Sequence, residues 1–164
     1  MFKAWLLAAA LITAPFAAGA AGTDIAFAGL KTDTTLPVQV SADQLSVSQA
    51  DGTAVFSGNV VVTQGAMTLQ AGSVQVEYAK DQKSIARMLA KGDVKMVAGG
   101  EAASAQNADY APETGVLILQ GDVLLTQGSS AIVGQTLTIS LKTGLGTMEG
   151  RVTTTFTPAQ PKKN

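Results

Sequence analysis

The sequence predicts an all-β protein, and three observations carry that prediction. Apolar and polar residues alternate with a period of two along much of the chain, as strands with one buried face require, because successive side chains leave opposite faces of a pleat. A glycine-centred phrase returns at Gly58, Gly92, Gly121 and Gly150, roughly every thirty residues, a period typical of stacked repeats. The composition is rich in alanine, glycine, valine and threonine, with 5% aromatic residues and no cysteine or histidine. Small residues of this kind suit the inside of a β-protein, and a secreted chain without cysteine cannot rely on disulfides.

In order along the chain, the first twenty residues read as an address. Met1-Phe2-Lys3 is a short positive start, Ala4 to Ile12 is an apolar run too short to span a bilayer, and Ala18-Gly19-Ala20 has the small-x-small form of a signal-peptidase site. Cleavage is expected near Ala20, and there is no cysteine for lipid attachment. Residues 21–36 show no sustained period and read as a flexible leader. The folded domain is expected over residues 37–157, one domain of about 120 residues, and residues 158–164 form a polar tail expected to be disordered.

Within the domain, Val38 to Ala42 alternates as a first strand, Asp43-Gln44 bends, and Leu45 to Ser48 resumes. Gln49-Ala50-Asp51-Gly52 carries hairpin chemistry. The first full phrase is Phe56-Ser57-Gly58-Asn59-Val60-Val61-Val62-Thr63-Gln64-Gly65, read as one strand with Phe56, Gly58, Val60 and Val62 on a single face. Thr63-Gln64-Gly65 closes it with a glycine free to take positive φ. Met67 to Ala71 returns, Gly72-Ser73 is a corner, and Val74 to Tyr78 is a further strand. Residues 80–91 admit two readings. Ile85, Met88 and Leu89 sit at helical spacing, but Gly92 occupies the repeat glycine, which favours a turn followed by a strand. Ala98 to Glu101 is a turn, Ala102 to Tyr110 a strand, and Pro112 bars a central strand in the turn that follows. Leu117 to Gly128 repeats the phrase, Gln135 to Leu141 is a regular alternating strand, and Met148 to Phe156 is the last copy.

Chemistry is scarce. Without histidine or cysteine the chain lacks imidazole bases, thiol nucleophiles and the usual zinc ligands, so no metal, no cofactor and no catalytic residue is expected. Asp43 and Asp109 both follow an alanine and could be offered as a paired carboxylate of a polysaccharide-active enzyme, but aspartates bonding their own backbone in bends account for them. Lys142 to Gly146 has its glycines after the lysine, the wrong order for a phosphate loop. Removal of Lys3 takes the formal charge from −1 to −2, and the basic residues are scattered, which argues against nucleic acid.

The phrase Gly-Asn-Val-x-Val-Thr-Gln-Gly at Gly58 to Gly65, with Ala42-Asp43-Gln44 before it, the Gly-Asp-Val copies and Arg151-Val152-Thr153-Thr154 after it, resembles the OstA-like family. The similarity covers about Pro37 to Pro158. It implies a β-jellyroll of many short antiparallel strands, V-shaped in section and open at both ends, in the periplasm. It implies as partners lipopolysaccharide through its lipid A acyl chains, further copies joined head to tail, and inner-membrane-anchored and outer-membrane components of the same fold. The stretch Ala98 to Gln106 is more compact than the loops some members carry there.

The alternation places Phe56, Val60, Val62, Met88, Val94, Met96, Leu117, Leu119, Val123, Leu125, Met148, Val152 and Phe156 on one apolar face. That face suits acyl chains, and the methionines suit a site that accepts a moving ligand. It equally suits the filled core of a structural β-repeat scaffold with no lipid ligand. The scarcity of large aromatics hints at an interior not wholly filled by its own side chains. Val38 and Val40 near the start, and Val152, Thr154 and Phe156 near the end, read as edge strands open to pairing with another chain.

Overall fold

Alternation becomes strand along nearly the whole chain. The computed structural model describes residues 25–81 and 83–157, so the expected signal peptide and the tail after Thr157 lie outside the described residues. The strands are β1 (Ile25–Ala26), β2 (Gln39–Ser41), β3 (Gln44–Ser48), β4 (Thr53–Gln64), β5 (Met67–Tyr78), β6 (Ile85–Ala98), β7 (Glu101–Ala111), β8 (Val116–Gln127), β9 (Ser130–Ser140), β10 (Leu145–Glu149) and β11 (Thr153–Thr155). A single 3-10 turn, Ala28–Leu30, stands between β1 and β2. No α-helix occurs among the described residues, and residues 85–91 are strand, as the repeat glycine argued.

All eleven strands form one antiparallel sheet in the order β1-β10-β9-β8-β7-β6-β5-β4-β2, with β3 also on β4 and β11 also on β9. Successive strands are neighbours because each hairpin loop is short, and no described strand joins the two ends, so the sheet of described strands stays open.

The repeat phrase is not the straight strand its alternation suggests. In every copy both the glycine and the polar residue after it have left-handed backbone: Gly58 and Asn59 at φ 79° and 47°, Gly92 and Asp93 at 82° and 47°, Gly121 and Asp122 at 83° and 48°, Gly150 and Arg151 at 85° and 50°. Glycine takes this conformation without cost, and Asn and Asp tolerate it better than other side chains. Two residues here oppose one on the neighbouring return strand, the geometry of a β-bulge, and the ladder register shifts between Ser57 and Val60, Lys91 and Val94, and Gln120 and Val123. The bulges line up across the sheet as a crease.

The crease divides the sheet into two layers. One holds β3, residues 53–57, 73–78, 85–91, 107–111, 116–120 and 136–140, and β10. The other holds β2, residues 60–64, 67–71, 94–98, 101–105, 123–127 and 130–134, and β11. The layers face each other: Val62, Met67 and Leu69 of one and Val74, Met88, Ala90, Ala108 and Tyr110 of the other line a common void. Two residues in each kinked strand keep its inward parity (Ala54, then Val60 and Val62). The single residue at each return-strand corner reverses it, so Ala71 and Val74 both point inward. The result is a folded sheet, V-shaped in section, with an apolar interior.

The segment read as a flexible leader is ordered where it is described. Phe27 and Leu30 have no exposed surface and belong to the main hydrophobic cluster. Sequence periodicity missed them because a segment that fills a gap between two layers follows neither a two-residue nor a 3.6-residue repeat.

Candidate functional site

The interior of the V is the candidate site. Of the face expected from the sequence, Val60, Val62, Met88, Val94, Met96, Leu117, Leu119, Val123, Leu125 and Met148 are buried together, and Phe56 is partly buried against them. Val152 and Phe156 are not: they are 44% and 77% exposed. They flank β11, whose Thr154 pairs with inward-facing Ile132, at the end of the sheet where no further strand covers them.

The return strands supply the other half of the lining, which single-phrase reasoning left out: Met67, Leu69, Val74, Val76, Tyr110, Ile132, Leu137 and Ile139 are all buried. Their alternation was visible, but which face turned inward depended on the parity reversal at each corner.

At the opposite end the interior is open. Leu45 and Val47 pair with Phe56 and Ala54, so they point inward, yet they are 57% and 61% exposed. A hollow of about 640 Å³ opens beside Val47, Thr53 and Tyr78. The middle is tightly filled, with only about 10 Å³ left in the void between the layers. The sparse aromatics therefore do not leave a chain-sized cavity: leucine, methionine and the two side chains from the leader fill it.

The side of the V away from the crease has two lips, formed by the far ends of the strands. They touch where the Tyr110 hydroxyl donates to Gln64 Oε1. Residues 27–36 run along this side as a strap tied to both lips. On one lip, Phe27 N donates to Gly144 O (2.6 Å) and Thr32 N to Leu141 O (2.9 Å). On the other, Gln64 Nε2 donates to Thr34 O (2.9 Å) and Leu36 O (2.8 Å), and Thr32 Oγ1 to Gln64 O (3.3 Å). Glu101 Oε1 accepts from Gly29 N (3.3 Å) and from Gln127 Nε2 (2.7 Å), whereas buried Glu101 Oε2 has no hydrogen-bond partner. Gln64 and Gln127 are the middle residues of the two Thr-Gln-Gly triplets, a repeated signal whose purpose the sequence did not disclose. Burying Phe27 and Leu30 contributes roughly 3–6 kcal/mol together.

Burial pushes the Tyr110 hydroxyl up to about 12. Asp33, in the strap, is held below the ordinary carboxyl range by hydrogen bonds from the Thr35 side chain and backbone. Hydrogen bonds and charge from Asp109 push the Arg87 guanidinium up. That pair lies on the outer face, with Arg87 Nε donating to Asp109 Oδ1 at 2.8 Å.

Asp43 and Asp109 do not form a matched pair. Asp43 lies at the crease, its N donating to Gly58 O (2.9 Å) and its carboxylate accepting from Asn59 Nδ2 (2.9 Å). The crease residue that corresponds to Asp43 is Gln106, which donates to Asp122 Oδ2 at 2.7 Å. Among the described residues no group of three or more acidic side chains could hold a metal. What the arrangement offers is an apolar interior, charge-free except for Glu101 at the lip, between two unpaired ends.

The family described as LptA/(LptD N-terminal domain) LPS transport protein matches residues 39–145, 107 of the 164 residues. A curated relative, "Uncharacterized protein R00383" of Rhizobium meliloti (strain 1021), is 40% identical over 72 residues, which are 44% of this chain and 38% of that protein. The chain thus spans well under two thirds of that relative's length. Among solved structures, LptH of Pseudomonas aeruginosa, described as the LptA homologous periplasmic component of the lipopolysaccharide transport device, superposes with a TM-score of 0.68. That match covers 77% of this chain and 99% of LptH at 18% identity, and it shows the fold.

Proposed function

The chain belongs to the LptA/(LptD N-terminal domain) LPS transport protein family, and on that footing we propose that it is a periplasmic carrier of lipopolysaccharide. In this reading residues 1–20 direct export and are removed near Ala20. The acyl chains of lipid A lie between the two layers, shielded from water, while the sugars stay outside. Each methylene moved from water into the interior contributes about 0.8 kcal/mol, with no covalent step, so net movement takes its energy from elsewhere. The open ends join further copies head to tail and partners of the same fold at the inner and outer membranes.

The observation that carries the reading is the apolar strip itself. It runs the width of the sheet and surfaces at both ends, as Leu45 and Val47 at one and Val152 and Phe156 at the other. A protein that needs only a core has no use for apolar residues facing inward at an end that no described strand closes.

The tight filling of the middle favours a second reading, a β-repeat scaffold with no lipid ligand. Photocrosslinking in cells separates the two. A photoreactive residue at Phe56 faces the interior and one at Val55 faces out. Lipopolysaccharide adducts at position 56 and none at 55 are expected of a carrier. Protein adducts alone at 56 would establish the scaffold, and equal lipid labelling at both would refute the assignment of the inner face.

A further inference from the structure

We propose that residues 27–36 are a displaceable strap seated in the acyl-chain site, and that a lipid enters by exchanging its chain for Phe27 and Leu30. The proposal rests on the carrier reading and concerns residues ahead of Gln39, where the family match begins.

Four observations support it. The void between the layers is about 10 Å³, so a bound chain must displace something. Phe27 and Leu30 are fully buried yet belong to none of the long strands, so they can leave without breaking a ladder between them. The strap is also fastened at separate points: Gly144, Leu141, Gln64 and Glu101. Segments held this way open well below the cost of global unfolding. Finally, closure leaves Glu101 Oε2 buried and unpartnered, an unfavourable state that water relieves when the strap lifts.

The seat is specific to the closed strap. A Cβ at Gly99 would overlap the Gly29 carbonyl, so the backbones meet there without side chains between them. Hydrocarbon released by Phe27 and Leu30 is replaced by hydrocarbon of the incoming chain, and the strap then lies aside or over the lips.

The chain has no cysteine, so the strap can be stapled. A Cβ at Gly29 stands 2.9 Å from Glu101 Cγ, which puts the pair Gly29→Cys and Glu101→Cys within reach of a disulfide. Binding of a fluorescent fatty acid, and its displacement by purified lipopolysaccharide, is titrated before and after reduction. The oxidised form is expected to bind at least about tenfold more weakly than the reduced form, because the competent population is removed. A second variant, Phe27→Ser with Leu30→Ser, frees the site and is expected to bind about tenfold more tightly than the unaltered chain. Equal binding by oxidised and reduced forms, or no gain in the serine variant, overturns the strap while binding by the unaltered chain leaves the carrier reading standing. No binding by any form, reduced and serine variants included, overturns both.

Discussion

Gly150 and Gly100 have nearly the same backbone, φ 85° and 88°, but different surroundings. A Cβ on Gly150 would come within 2.6 Å of Gln135 Cβ across the crease, whereas one on Gly100 meets nothing within 4 Å. Changing either to alanine forces a left-handed alanine, at about 1–2 kcal/mol. Gly150→Ala must in addition push two backbones apart, so its urea midpoint is expected to fall clearly further than that of Gly100→Ala. Equal losses would show that the crease tolerates separation. Arg151 is the one copy of the polar crease position without an Asn or Asp side chain, yet it holds φ 50°. Arg151→Asn is therefore expected to stabilise the chain, by up to about 1 kcal/mol, with the midpoint as readout.

At the scale of elements, the strap and the lips depend on Gln64. Its amide nitrogen serves two strap carbonyls and its amide oxygen accepts from Tyr110, all in a site where Gln64 is 2% exposed. Gln64→Ala strands those groups at about 1–3 kcal/mol for each one kept from water. It should cost stability and speed proteolysis of the chain ahead of β2. Tyr110 adds a pH signature. Burial pushes its hydroxyl up to about 12, above the ordinary tyrosine pKa of about 10, so the unfolded chain loses that proton first as pH rises. Stability is fully present below pH 10 and declines between pH 10 and 12, a decline that Tyr110→Phe should abolish. Most strands were legible because alternation and turn residues are local signals. Nothing local marks Asn59, Asp93 and Asp122 as other than polar strand residues, and the two left-handed residues of each crease preserve the period of two, so the fold in each strand leaves no break in the pattern. Phe27 and Leu30 were illegible for a different reason: their burial depends on two distant lips that meet only in the folded sheet.

For the whole molecule, the two ends of the sheet are not equivalent. At the head, β2 and β3 each have a free edge, one in each layer. At the tail β1 is the outermost described strand of one layer, paired with Leu145 and Gly146 of β10, and β11 is the outermost described strand of the other. Open strands of the same layer, β2 and β11, are the pair that a head-to-tail contact would join, and a contact between unlike surfaces adds copies beyond a dimer unless its rotation closes a ring. Gln39, Ser41, Thr153 and Thr155 are exposed and pair with Thr63, Val61, Val133 and Ala131 on the outward side. Lysines there blunt an edge and leave the core alone, with stability expected within about 0.5 kcal/mol. A head variant (Gln39→Lys, Ser41→Lys) and a tail variant (Thr153→Lys, Thr155→Lys) should each be monomeric by sedimentation under conditions where the unaltered chain forms longer species. Mixed in equal amounts they retain one intact head and one intact tail between them, so the mixture should stop at a dimer. Continued growth of either variant alone would place the contact elsewhere, and a mixture that stays monomeric would mean that β2 and β11 do not meet.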